Sequence, residues 1–96
     1  MAESFVHELG TAEKTWSYIY IPTDHRELFP EHKPFEVAFK GESFEVTVSK
    51  AGRIVKEELV KKICKARSFV IIITKKNENE FEITPMDEKI RKIISP

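Results

Sequence analysis

The sequence predicts a mostly β, α+β domain. Its expected form is a small closed barrel of two strand–helix–strand–strand repeats with pseudo-twofold symmetry. An N-terminal arm (1–15) precedes the repeats (16–48 and 53–84), and a C-terminal helix (85–96) follows. Three observations carry this reading. Several short segments alternate apolar and polar residues with the period of a half-buried strand. Matching segments recur at offsets of 33 (Ile21 to Ile54), 34 (Phe35 to Phe69) and 37 (Phe44 to Phe81). The length, 96 residues, suits a single domain 1–96.

The arm holds Phe5, Val6 and Leu9 before Gly10, enough for a strand or one helical turn. Trp16 to Ile21 reads as the first strand, with Trp16, Tyr18 and Tyr20 on one face and Ile19 and Ile21 on the other. Pro22 stops it, and Thr23 is placed to cap a short helix from Asp24 to Phe29. Phe35–Lys40 turns Phe35, Val37 and Phe39 inward, and Phe44–Val48 does the same with Phe44, Val46 and Val48. Gly41-Glu42-Ser43 joins them as a hairpin loop. Arg53–Val55 is a short strand. Lys56–Arg67 carries Leu59, Val60, Ile63 and Cys64 at helical spacing.

Phe69–Thr74 is apolar throughout, as for a strand covered on both faces. Lys75–Glu80 reads as a loop and Phe81–Thr84 as the returning strand. Thr84-Pro85-Met86-Asp87 has the composition of a helix start. Met86, Ile90, Ile93 and Ile94 give that last helix an apolar face.

Composition narrows the function classes. With 41% apolar and 33% charged residues, the chain is built to fold around a core rather than to remain disordered. No apolar run reaches the roughly 20 residues of a spanning helix. MAESFVHELG lacks the pattern of a secretory leader. The single cysteine, Cys64, excludes an internal disulfide and fits a reducing cytoplasm. Abundant Lys, Glu and Ile with no glutamine lean toward thermophile usage.

At Tyr18-Ile-Tyr-Ile-Pro-Thr-Asp-His-Arg-Glu-Leu-Phe the chain resembles the strand–Ile-Pro–short helix opening of AbrB-type transcription factors. The duplication over residues 16–84 resembles the cradle-loop barrels, which include the AbrB swapped hairpins, the RIFT barrels and the double-psi barrels. Ile19-Tyr-Ile-Pro, Leu28-Phe-Pro, Phe35-Glu-Val and Gly52-Arg-Ile are also similar to DNA-binding pseudobarrels of the EcoRII N-terminal type. Where many cradle-loop proteins carry Gly-Asp, this chain has Lys33-Pro34 and Arg67-Ser68. The resemblance implies a single-chain RIFT-like or pseudobarrel domain, and a fold that hosts DNA binders, ligand domains and enzyme modules alike.

The residues carry no pattern of catalysis. His25 and His32 flank the first helix without a ligand spacing and read as surface histidines. Cys64 reads as a small core residue. The glycines are too far apart for a phosphate loop, and nothing calls for a cofactor. Charge is more informative. Residues 1–48 hold four bases against nine acids, net −5, and residues 49–96 hold twelve against seven, net +5. Ser49–Lys76 has nine bases against two acids.

Lys50, Arg53, Lys61, Lys62, Lys65, Arg67, Lys75 and Lys76 are therefore candidate contacts to the phosphates of duplex DNA. Arg53 and Arg67 are suited to bidentate contact with guanine. The alternative for the same residues is a solvated face. Trp16, Tyr18 and Tyr20 are candidates for core packing or for a stacking platform. The expected function is a non-enzymatic DNA-binding domain. The alternative is an interaction or assembly module, meeting a protein partner or a second copy through Met86, Ile90, Ile93 and Ile94.

Overall fold

The structure, a computed structural model, describes residues 3–30 and 32–86. Two sheets and a few short helices enclose one core. The elements are β1 (Glu3–Glu8), α1 (Thr11–Trp16), β2 (Tyr18–Tyr20), a 3-10 helix (Thr23–Leu28), β3 (Phe35–Phe39), β4 (Glu42–Val46), β5 (Arg53–Val55), α2 (Glu57–Lys65), β6 (Val70–Asn77) and β7 (Glu80–Pro85). Five strands form a sheet in the order β1-β6-β7-β3-β4, and β2 pairs with β5 in a separate ribbon. The expected order of strand, helix, strand, strand occurs twice, from β2 to β4 and from β5 to β7.

The inward alternation is as the sequence predicts. Phe35, Val37 and Phe39 of β3, Phe44 and Val46 of β4, and Phe81 and Ile83 of β7 are buried. Leu59, Val60 and Ile63 of α2 join them, while Cys64 is half-buried at the edge of the core. Ile71, Ile72 and Ile73 are all buried, so β6 is covered on both faces. Phe29 stacks on Phe81 with ring centroids 4.3 Å apart, and Phe35 packs against both. Burying a side chain of this size stabilises by about 1.5–3 kcal/mol.

Several expectations are corrected. The barrel does not close: β3 pairs in parallel with β7, but β6 pairs with β1 instead of β4. The arm supplies a full strand, with Glu3 opposite Lys75 and Glu8 opposite Val70, and it takes the edge that closure requires. β1 and β4 are left as the edges of the larger sheet.

The strand expected over Trp16–Ile21 shrinks to Tyr18–Tyr20, because α1 runs through Trp16. A buried carboxylate explains that helix. Glu13 accepts the Gly10 N–H at 2.9 Å through Oε1. Its Oε2 accepts the Tyr20 N–H at 2.9 Å and lies 2.7 Å from His7 Nε2. One side chain thus ties β1, α1 and β2 together. Ser17, in the left-handed region at φ 58, ends the helix.

The first-repeat helix is 3-10, opened by Pro22 with no side-chain cap from Thr23. The first hairpin turns on Lys40 and Gly41, both at positive φ, with Phe39 opposite Glu42. That is the two-residue turn whose twist suits a hairpin. The second hairpin turns on Glu78 and Asn79, so Lys75 and Lys76 belong to β6 and not to a loop. Thr84 and Pro85 pair with Ile72 and Ile71 as part of β7, so the segment expected to start a helix is strand instead. Ile90, Ile93 and Ile94 lie outside the described residues.

Candidate nucleic-acid interface

The predicted basic residues differ in what their side chains meet. Three are engaged with carboxylates: Lys61 with Glu57, Lys62 with Glu42, and Lys76 with Glu82 at 3.2 Å. Lys62 also lies over the Phe44 ring. Lys65 lies beside Lys62 and Glu42, along a shallow hollow floored by Phe39. Arg67 is exposed, and its backbone closes the end of α2. At φ 56 it sits just past the end of α2, where its N–H bonds Cys64 O at 3.0 Å and the next N–H, of Ser68, bonds Ile63 O at 3.1 Å. These are the two bonds of a Schellman cap, at a place usually held by glycine.

Lys50 and Arg53 come together at the turn between β4 and β5. Ser49 O accepts the Gly52 N–H at 2.9 Å, and Ser49 N–H returns to Arg53 O at 2.9 Å. Across a cleft of about 340 Å³, Lys50 and Gly52 face Arg26, Phe29, Pro30 and His32. No carboxylate is among the residues lining that cleft. An adjoining cleft shares Phe29 and Pro30 and adds Lys33 and Lys75, here with Glu27 and Glu78. The basic groups that line these two clefts are therefore Lys50, Lys75 and, from the acidic half, Arg26, His32 and Lys33, while Arg53 lies over Tyr18 on the adjoining ribbon.

Arg26 is the member that sequence reasoning missed, and Asp24 and Glu27 on either side masked it. Its Nε donates to Ile21 O at 3.1 Å, and its Nη2 donates to the Tyr20 hydroxyl at 3.0 Å and to Ala51 O at 3.3 Å. A Cβ on Gly52 would stand 2.3 Å from Arg26 Nε. The bare backbone of Gly52, at φ 75, is what lets the guanidinium lie on the turn. Of five N–H donors, three are used and the Nη1 pair remains.

The ribbon beside this cleft presents two different faces. Ile19 and Ile54, opposite each other, are buried. The outer face carries Tyr18 opposite Val55 and Tyr20 opposite Arg53. The Arg53 guanidinium lies 4.7 Å from the Tyr18 ring centre, and that of Arg26 lies 5.3 Å from the Tyr20 ring. Core packing, the first expectation for the aromatic set, fails for Trp16 and Tyr20, which are exposed.

The histidines also differ from a simple surface set. His25 is half-buried and stacks on Phe5 at 4.2 Å, His7 meets Glu13, and His32 is exposed at the cleft. Among the described residues no three His, Cys, Asp or Glu side chains are grouped to hold a metal. No described helix is long and apolar enough to cross a membrane.

No protein-family model matches the sequence, and no curated protein is significantly similar to it. The fold is similar to the solved structure of a hypothetical protein of Arabidopsis thaliana, with a TM-score of 0.63 at 11% identity, covering 88% of this chain and 89% of that one. That likeness establishes a shared mixed α+β fold.

Proposed function

We propose that this chain is a non-enzymatic DNA-binding domain, an opened relative of the cradle-loop and pseudobarrel folds that its sequence resembles. The two strand–helix–strand–strand units are read as a duplication about a pseudo-twofold axis. The pairing of β2 with β5, at equivalent places in the two units, supports that reading. The mate of the β3–β7 pairing is missing, because β1 occupies the edge of β6 where β4 would pair.

The observation that carries the functional reading is the cleft between Arg26, His32 and Lys50, which has no carboxylate in its lining. Cations gathered on one concave surface neutralise successive phosphates and release counterions. Lys61, Lys62 and Lys76 already face carboxylates and contribute less. DNA is held through Arg26, Lys50 and Arg53, with Lys33 and Lys75 extending the contact.

A salt titration tests this. With roughly three to five phosphate contacts, log K against log salt for a labelled duplex falls with a slope of roughly −3 to −4.5. Lys50→Glu combined with Arg53→Glu weakens binding, whereas Lys61→Glu leaves it unchanged. Absence of duplex binding at low salt refutes the reading.

A further inference from the structure

The geometry points to a second element of this interface: the outer face of the β2–β5 ribbon stacks unpaired bases of single-stranded DNA. The inference rests on the DNA reading above and narrows the form of DNA that is held. Among the described residues the exposed large apolar side chains are Val6 at 54%, Trp16 at 75%, Tyr20 at 37% and Val55 at 66%. Three of these four stand on the ribbon or lead into it. Isolated apolar side chains on a surface are ordinary, but a cluster beside a charged cleft marks a site of interaction.

The chemistry of that cluster selects the occupant. Neither strand of the ribbon contains a carboxylate, and the cleft beside it is lined by cations. The partner is therefore anionic. The flat groups on offer are Trp16, Tyr18, Tyr20 and two guanidinium planes, Arg53 against Tyr18 and Arg26 against Tyr20. Aromatic rings and arginine planes are the surfaces on which unpaired bases stack. A duplex hides its base faces and offers only phosphates and groove edges. A single strand offers both, so it engages the ring face and the cleft at once: the bases lie along the ribbon and the phosphates reach Lys50 and the free Nη1 of Arg26.

Trp16 is the only tryptophan and reports on its own contact. The experiment titrates oligo-dT, and separately a duplex of equal length, against the full chain while following Trp16 fluorescence and the anisotropy of labelled DNA. The expected result is quenching by oligo-dT, with single-strand binding at least 10-fold tighter than duplex binding. Removing one stacking base contact weakens binding by roughly 5- to 150-fold. Trp16→Ala therefore reduces oligo-dT affinity by that factor and leaves duplex affinity unchanged, and Trp16→Phe restores most of the loss.

Trp16 is exposed, so the variants are expected to melt at the same temperature as the parent, which circular dichroism checks. Equal affinity for both forms, or no effect of Trp16→Ala, overturns the stacking inference and leaves the phosphate reading standing. Absence of binding to either form overturns both. A dimer in sedimentation that Trp16→Ala dissociates also overturns the inference, because the face then belongs to a second copy.

Discussion

Glu36 and Tyr20 hold comparable places in two different sheets, each on the side turned away from the core. Around Glu36 the larger sheet puts Glu45 directly opposite on β4 and Glu80 opposite on β7. Like charges in register destabilise a sheet, yet this face accepts three in a row and stays hydrated. Around Tyr20 the ribbon puts Arg53 opposite and Arg26 on the ring, with Tyr18 and Val55 completing the face. Both sheets bury their inner faces equally well, with Phe35 and Phe81 in one and Ile19 and Ile54 in the other. The difference therefore lies in what each offers outward. An acidic sheet face repels a polyanion, and an aromatic, cationic ribbon face attracts one. The molecule has a polarity that its net charge of zero conceals.

The largest effect separates inner from outer faces. Phe81→Ala, deep among Phe29 and Phe35, is expected to cost about 3–5 kcal/mol in urea unfolding. Trp16→Ala on the outer side stays within about 0.5 kcal/mol. A Trp16 loss as large as that of Phe81 would mean that the ribbon face is packed and not presented.

The second effect compares the turns of the two sheets. Gly41, at φ 82, has open space where a Cβ would go, so Gly41→Ala meets only left-handed strain, about 1–2 kcal/mol. Gly52→Ala meets the same strain and also displaces the Arg26 guanidinium with its three hydrogen bonds. Each of those bonds is worth about 0.5–1.5 kcal/mol. Thermal melts should rank Gly52→Ala well below Gly41→Ala, and only Gly52→Ala should weaken DNA binding.

A smaller effect probes the acidic face. Glu36→Gln removes the middle charge of the row and is expected to gain about 0.2–1 kcal/mol in urea unfolding, with duplex affinity slightly raised. A loss of stability instead would show that the row is held by a compensating cation.

The smallest effect concerns α2. Lys61 beside Glu57 holds that carboxyl below its ordinary range, and Glu57 in turn raises Lys61, through a hydrogen bond and charge attraction. The contribution of Glu57 is present above the ordinary carboxylate range and is lost as pH falls through its lowered pKa. That of Lys61 is present below the ordinary lysine range and is lost as pH rises through its raised one. Lys61→Met should return Glu57 to ordinary titration by NMR while the melting temperature near neutral pH barely moves, since exposed pairs contribute little.

Much of the fold was legible because burial enforces period. Phe35, Val37 and Phe39 must face one way, and Leu59, Val60 and Ile63 must share a helix stripe, whatever surrounds them. Trp16 misled for the opposite reason. Its alternation with Tyr18 and Tyr20 mimics a strand, but Glu13 binding Gly10, Tyr20 and His7 turns the preceding residues into helix. That is a tertiary constraint with no local trace. The N-terminal arm gave no sign of its partner either, because edge pairing depends on which strand is left open.

The candidate site was half legible. Lys50 and Arg53 were visible in a basic run, but a run along the chain is not a patch in space. Lys62 turned to Glu42 on β4, and Arg26 came from an acidic neighbourhood to complete the cleft.

The seating of β1 on β6 also dictates an order of assembly. Phe5 finds its partner Ile73 across a long stretch of intervening chain. Contacts between such distant segments slow folding, because the long loop between them must close first. In the interval the edge of β6 is bare. Its segment Val70-Ile71-Ile72-Ile73-Thr74 is apolar on both faces, the composition most prone to pair with the wrong strand. β1, the first described strand, thus acts as a shutter over the apolar edge of β6.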